Sequence, residues 1–372
     1  MLGSGASRLI RAVLLRAAGL AVLGALVTAV LAAGQVLPVA APSQSAAAAL
    51  TAAQTAASSA QVAPPSAQPS AQPSAQPSAQ PSGQPPAGPV VNSAEGDGVG
   101  LTVGSQRSGL VELPRGGRSV FPRYRLVGYS GGPGTAAFGR LGIGDLDDRV
   151  AEIEQLGRRY AGDREPLPVL ELIAVVAQPR PGADGRYRVR VEDDVIRSYL
   201  DAARRHRALL LLNVQPGRAD FLDEVKALEP WLQQPDIGLA LDPEWAVGAG
   251  EVPGQVFGST TGAELDRVAR YVADLVIAHR LPEKVVVVHQ LAPQVIRDQA
   301  ALQPHWGVAM IKSADGIGSR SEKTATWLRL VDRMPAALRP GFKLFFEEDA
   351  APVMTPQQVL ALVPTPDYVL YE

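Results

Sequence analysis

From Pro122 onward, short apolar runs recur along the chain, and the segments between them show apolar residues returning every third or fourth position. The first pattern is that of buried strands, the second that of amphipathic helices. The runs predict eight strands: Arg125–Ser130, Val169–Ala177, Ala208–Val214, Ile237–Leu241, Lys284–Gln290, Gly307–Lys312, Phe342–Phe346 and Asp367–Tyr371. Three intervening segments read clearly as helices. Asp193–His206 sets Val195, Ile196, Tyr199, Leu200 and Ala203 on one face, and Thr261–His279 does so with Leu265, Val268, Val272, Leu275, Val276 and His279. Ser321–Met334 is the third, with Leu328 and Val331 inward. Thr261 and Glu264 have the spacing of a capping box.

Val285, Val286, Val287 and Val288 are apolar at consecutive positions, as a strand covered on both faces must be. Eight such strands separated by helices over roughly 250 residues predict a (β/α)8 TIM-type barrel, with a doubly wound open sheet as the alternative. The turn Gly131-Gly132-Pro133-Gly134 after the first strand is not a GxGxxG fingerprint, so a dinucleotide fold gains nothing from it. The sequence stops at Glu372 with no helix after strand eight, and residues 101–122 are candidates to cover that gap or the barrel floor.

The N-terminal part has another pattern. Arg8, Arg11 and Arg16 precede an uncharged apolar run, Ala17–Ala33, and Val39-Ala40-Ala41 offers a cleavage site. This predicts a signal peptide or signal anchor over residues 1–41, which carries the rest of the chain out of the cytoplasm and, if uncleaved, tethers it to the membrane. Residues 42–100 form an Ala/Ser/Pro/Gln-rich linker in which 66–81 are four Ser-Ala-Gln-Pro repeats. Proline at every fourth position blocks helix and favours an extended stalk. Residues 101–372 are the barrel domain, placed outside the cell or at its surface.

Charge narrows the partners. All 37 acidic residues lie at or after Glu95, against 32 basic residues there, a balance of −5. That gives no support to nucleic-acid binding. There is no cysteine, which excludes disulfides, thiolate metal sites and cysteine nucleophiles. The four histidines have no metal-ligand spacing, and no cofactor motif appears.

In such barrels the active site lies at the C-terminal strand ends. Reading the polar residue near each end gives Tyr129 and Ser130, Glu171, Gln215, Asp242 with Glu244 and Trp245, His289 with Gln290, Lys312 with Asp315, Glu347 with Glu348 and Asp349, and Tyr371 with Glu372. Strand alternation turns Asp242 and Glu244 the same way. Neighbouring carboxylates raise each other's pKa, which keeps one protonated as a general acid. An opposing carboxylate from Glu347 or Glu348 would complete the pair that glycoside hydrolysis uses. Trp245, Trp306 and Phe346 are candidates to stack on sugar faces. The remaining polar residues are candidates for substrate binding or for structural ion pairs.

The Glu at strand four and the Glu at strand seven resemble the clan of retaining glycosidases built on this barrel. That resemblance implies Glu244 as acid/base and Glu347 or Glu348 as nucleophile, although Pro243 stands where the clan has Asn. Asp242-Pro243-Glu244 is also similar to the end of the chitinase-like family 18 motif, with Ala240 in place of an earlier Asp. Residues 124–372 resemble exported actinobacterial glycosidase-like barrel proteins. Three functions follow: an exported glycoside hydrolase acting on a polysaccharide or oligosaccharide; an inactive surface protein that binds carbohydrate or is structural; and a metal-dependent hydrolase using His289, Asp242 and Asp315. The first export test is a reporter enzyme, active only outside the membrane, fused after Glu372: we expect activity, and a stable but inactive fusion would reverse the assignment.

Overall fold

The computed structural model describes residues 110–372. The signal or anchor expected at 1–41 and the linker at 42–100 lie outside the described residues. Among the described residues no helix is long and apolar enough to cross a membrane.

The eight apolar runs pair as parallel strands because each must bury two faces and satisfy its backbone at once. They are β1 (Tyr124–Gly131), β2 (Glu165–Ala177), β3 (Leu209–Val214), β4 (Ile237–Leu241), β5 (Lys284–Gln290), β6 (Val308–Ala314), β7 (Leu338–Leu344) and β8 (Tyr368–Tyr371). Each pairs with the next, and β1 pairs with both β2 and β8, which closes the sheet into a (β/α)8 barrel. The connecting helices are α1 (Leu146–Tyr160), α2 (Asp193–Arg205), α3 (Phe221–Ala227), α4 (Glu229–Leu232), α5 (Gly262–His279), α6 (Arg320–Val331) and α7 (Pro356–Leu360). Between β5 and β6 the chain makes two 3-10 turns and a two-residue strand, Ile296–Arg297, where alternation predicts a helix. The capping box read from Thr261 and Glu264 is present, with both reciprocal bonds formed.

Three expectations change. On α6 the inward residues are Lys323, Thr326, Trp327 and Leu330, whereas Leu328 is 57 % exposed. His279 is exposed at the last turn of α5. Strand β7 begins at Leu338 and ends at Leu344, two residues before the expected end. Pro340-Gly341 reads as a break in sequence, yet β7 runs through both residues, Gly341 lying in register with Tyr368.

Alternation fixes two cores. Outward residues such as Val127, Leu170, Leu210, Leu239 and Val286 pack under the helices. Inward residues Leu126, Leu167, Val169, Leu209, Leu211, Ala240, Val285, Val287, Ile311 and Leu370 fill the barrel. Leu113 and Val120 join this inner cluster from below, so the segment before β1 covers the floor. It is stitched there by polar bonds. The Val120 N–H donates to the Glu283 carboxylate at 2.6 Å, the Glu283 N–H donates to the Arg118 carbonyl at 2.8 Å, and Arg115 donates to the Pro166 carbonyl at 3.2 Å.

Among the described residues no helix follows β8, and α1 packs against α7. Inside the β8–β1 seam Arg125, 4 % exposed, donates to the carbonyls of Tyr160 (2.6 Å), Ala161 (3.3 Å) and Pro366 (3.3 Å). The hydroxyls of Tyr160 and Tyr371 meet at 2.7 Å. Arg125→Met would leave these carbonyls without their donor, and we expect it to lower the unfolding free energy by about 3 kcal/mol. The urea midpoint reads this directly; an unchanged midpoint would show that the seam holds without Arg125.

Candidate active site

Towards the C-terminal strand ends the barrel interior changes from apolar to polar within one step of the alternation. Val169 is followed inward by Glu171, Leu211 by Asn213, Ala240 by Asp242, Val287 by His289 and Ile311 by Ser313. On β1, β7 and β8 the same step leads to Ser130, Lys343 and Glu372. All eight are at most 8 % exposed. A ring of eight polar side chains, one per strand, therefore lies on top of a filled apolar barrel. Two more carboxylates sit just above it: Glu244 in the 3-10 turn Pro243–Trp245, and Asp315 directly after β6.

The ring is bonded across the barrel. Asn213 donates to Glu171 Oε1 at 3.1 Å and to Asp242 Oδ1 at 3.0 Å. Gln215 Nε2 donates to Asp242 Oδ2 at 3.2 Å, while its own oxygen accepts from the Ala177 N–H. Glu171 also holds His289 Nε2 at 3.0 Å and accepts from the Tyr368 hydroxyl at 2.6 Å. Lys343 Nζ lies 2.6 Å from Glu372 and 3.9 Å from Asp315. Some polar atoms are left over: Ser130 Oγ, Asn213 Oδ1, Glu244 Oε2, His289 Nδ1, Ser313 Oγ and Asp315 Oδ1 are buried without a hydrogen-bond partner. Buried polar atoms are normally satisfied, so this cluster is built to meet water or a polar ligand.

Charge decides where protons stay. Five buried carboxylates face one lysine and one histidine. Burial pushes the Glu171 carboxyl up, but His289, Lys343 and the Tyr368 hydroxyl outweigh it and hold Glu171 below the ordinary range. Burial pulls His289 down; Glu171 and Asp242 overcome that and raise it. These two form an ion pair. The carboxyls of Asp242, Glu244 and Asp315 are all raised, each first by burial. For Glu244, held well above its usual value, Asp242 and Asp315 add to the burial. Of the three, Glu244 is the one held well above the ordinary carboxylate range.

The structure brings together only part of the set read from sequence. Glu171, Gln215, Asp242, Glu244, His289 and Asp315 converge at the barrel mouth. Lys312 points outward and donates to the Leu330 carbonyl at 2.9 Å and to Gln299. Gln290 points outward to the carbonyls of Ala292 and Pro293. Both follow from alternation, since His289 and Ser313 hold the inward positions. Tyr129 and Tyr371 also face outward and form an aromatic group with Phe346, which stacks on Tyr371 at 5.2 Å. Trp245 is buried in its turn. Trp306, 71 % exposed, precedes β6 and lies at the floor end, so it cannot serve the mouth.

Because β7 ends at Leu344, Glu347 and Glu348 lie in the turn after it. With Tyr129, Phe346 and Glu372 they line a cavity of about 460 Å³ beside the mouth, which Asp242 and Glu244 do not line. Asp349 is structural: it accepts from the N–H groups of Phe345 and Gly318 and pairs with Lys323 at 2.9 Å. Among the described residues no group of three or more metal-ligating side chains is placed to hold a metal. Sequence reasoning missed Asn213, Ser313, Lys343 and Tyr368. Each is a polar residue at an inward position inside an apolar run, and counting alternate positions back from the strand end would have found them.

The class that this geometry defines is a closed (β/α)8 barrel with a buried ionisable layer at the C-terminal ends of its strands. No family model matches the chain, and no curated protein does. Among solved structures, a GH18 chitinase, ChiB, from the chitin utilization locus of Flavobacterium johnsoniae is similar over 67 % of this chain and 87 % of its own, at 9 % identity and a TM-score of 0.33. The fold rests on the strand register above and not on this likeness.

The Glu171–His289 pair makes stability depend on pH in a definite direction. His289 is raised in the fold above an unfolded value of about 6.5, so its stabilisation is complete below that pH and is lost as pH rises through the folded value. Glu171 is lowered, so its stabilisation is present above about pH 4.3 and lost as pH falls through the folded value. Glu171→Gln removes the carboxylate that raises His289. Urea midpoints measured across pH should then fall by the equivalent of about 3–5 kcal/mol near neutrality, and the alkaline decline should move to lower pH. A variant with the wild-type pH profile would rule out the pair as the source.

Proposed function

We propose that this chain is an exported glycoside hydrolase whose general acid is Glu244. One observation carries this: a carboxyl in the turn after β4, 8 % exposed, with one buried oxygen lacking a hydrogen-bond partner, and held well above the usual carboxylate range by burial, Asp242 and Asp315. A carboxylic acid kept neutral near pH 7 can protonate the oxygen of a leaving sugar. Asp242, fixed by Asn213 and Gln215, tunes it through their proximity. The second carboxylate is drawn from Glu347 and Glu348, which line the neighbouring cavity on the β7 side. Phe346, 44 % exposed and stacked on Tyr371, offers a face on which a sugar ring packs. The substrate is a polysaccharide or oligosaccharide, reached outside the cell and, with an uncleaved signal, from the membrane surface.

A second reading has its own support. Asp242 already accepts an amide hydrogen bond on each oxygen and is 5 % exposed, which suits a barrel that binds glycans or serves as a scaffold without turning them over. Glu244→Gln separates the two. As an acid, Glu244 supplies about 10²–10⁴-fold, so turnover of a glycan substrate should fall by that factor with the melting temperature nearly unchanged. As a scaffold residue, no glycan is cleaved by either form, and the Gln variant melts higher because it relieves carboxylate crowding. Full activity in the variant would remove Glu244 from the role.

A further inference from the structure

A second cavity, of about 510 Å³, opens at the same end of the barrel on the β3–β4 side. Its lining carries four arginines from four separate segments: Arg186, Arg218, Arg267 and Arg297. Three acidic residues share the lining, but each is engaged locally. Asp220 caps α3 through the Leu222 N–H at 2.8 Å, Glu251 accepts from the Gly248 N–H at 2.7 Å, and Glu264 closes the capping box of α5. Arg267 pairs with Asp220 at 3.3 Å. Arg186, Arg218 and Arg297 form no ion pair among the described residues. Arg218 is held in place nonetheless: its guanidinium stacks 3.9 Å from the centre of the Tyr187 ring, and its Nε donates to the Glu251 carbonyl at 2.7 Å. Four guanidinium groups thus meet three carboxylates in one concave place, within a barrel domain, residues 101–372, whose balance is −3.

This cavity shares a wall with the Glu244 turn. Ala246, Val247 and Gly248, which follow that turn directly, line it, and the N–H of Gly258, another lining residue, donates to the Glu244 carbonyl at 2.7 Å. A Cβ on Gly258 would lie 2.0 Å from the Ala246 carbonyl oxygen, so only glycine allows this approach. Arg297 is brought to the same wall by the short parallel pairing of Thr260–Thr261 with Ile296–Arg297.

We infer that this arginine-lined cavity is a subsite for an anionic group on the glycan, a carboxylate or a sulfate ester, so that the substrate is an acidic polysaccharide. The assignment rests on the reading of the mouth as a glycan site. Planar guanidinium groups bind such oxyanions by charge-assisted, often bidentate hydrogen bonds. The flanking Phe257, 36 % exposed, supplies an apolar edge for the ring that bears the charge.

The test is calorimetric binding of hexagalacturonate, dextran sulfate and neutral maltohexaose to the full chain carrying Glu244→Gln, with and without Arg186→Gln and Arg297→Gln together. Both arginines are exposed, and an unchanged melting temperature confirms the fold. We expect an anionic ligand to bind, the neutral one to bind at least about tenfold more weakly, and the double variant to lose about tenfold or more for the anion. Affinity should also fall with added salt. Binding of hexagalacturonate alone names a carboxylate, and binding of dextran sulfate alone a sulfate ester. Equal binding of the neutral glycan, absence of binding by both anions, or arginine variants that bind the anion unchanged would overturn the subsite. Hydrolysis of a neutral glycan by the unmodified chain without anion binding would overturn the subsite and leave the hydrolase standing. Arginine-dependent anion binding with no glycan cleaved would do the reverse.

Discussion

Lys343 is the charge around which the upper barrel is organised. It projects inward from β7, buried, and lies within 3.9 Å of both Glu372 and Asp315. Coulomb attraction to these and to Asp242 and Glu171 raises its pKa against the desolvation that would otherwise neutralise it. Without a fixed cation, carboxylates at this density would all take up protons, and no division into ionised and protonated members would survive. With it, Glu171 is held below the ordinary range and His289 above it as an ion pair, while Glu244, farther along the same side as Asp242, is held well above its ordinary range. The chemical asymmetry of the site follows from where one positive charge sits.

That arrangement depends in turn on the barrel beneath. A polar ring of one residue per strand needs every strand in register, because a slip by one residue would exchange each inward side chain for an outward one. The Val and Leu residues below the ring enforce the register, since only one alignment buries them. Packing below and electrostatics above are thus solved by the same alternation, and the polar layer is affordable only on a floor that is already closed.

The fold was legible because its evidence is local and repeated. Ile237–Leu241 and Lys284–Gln290 have the predicted bounds, as expected where an apolar run is bordered by charged or turn residues. At β7 the expected strand, Phe342–Phe346, sits late against Leu338–Leu344, which points to Glu347 and Glu348 as strand-end residues and passes over Lys343. The site was legible where two polar residues lie two apart, as in Asp242 and Glu244. Lys312 and Gln290 were read as mouth residues because they end apolar runs, but nearness to a strand end does not say which face a residue takes. The four arginines of the second cavity come from four separate segments, and no spacing along the chain unites Arg186 with Arg297. Only the closure of the barrel does so.

The segment under the barrel has one more consequence. Leu113 and Val120 seal the lower opening, and close-packed aliphatic side chains fill the space above them. The barrel is therefore a socket with one entrance and not a tunnel. A long polymer cannot be threaded along the axis and paid out at the far end. Any ligand must reach the buried acids from the rim and depart by the face it approached, so the loops of that single face govern access in both directions.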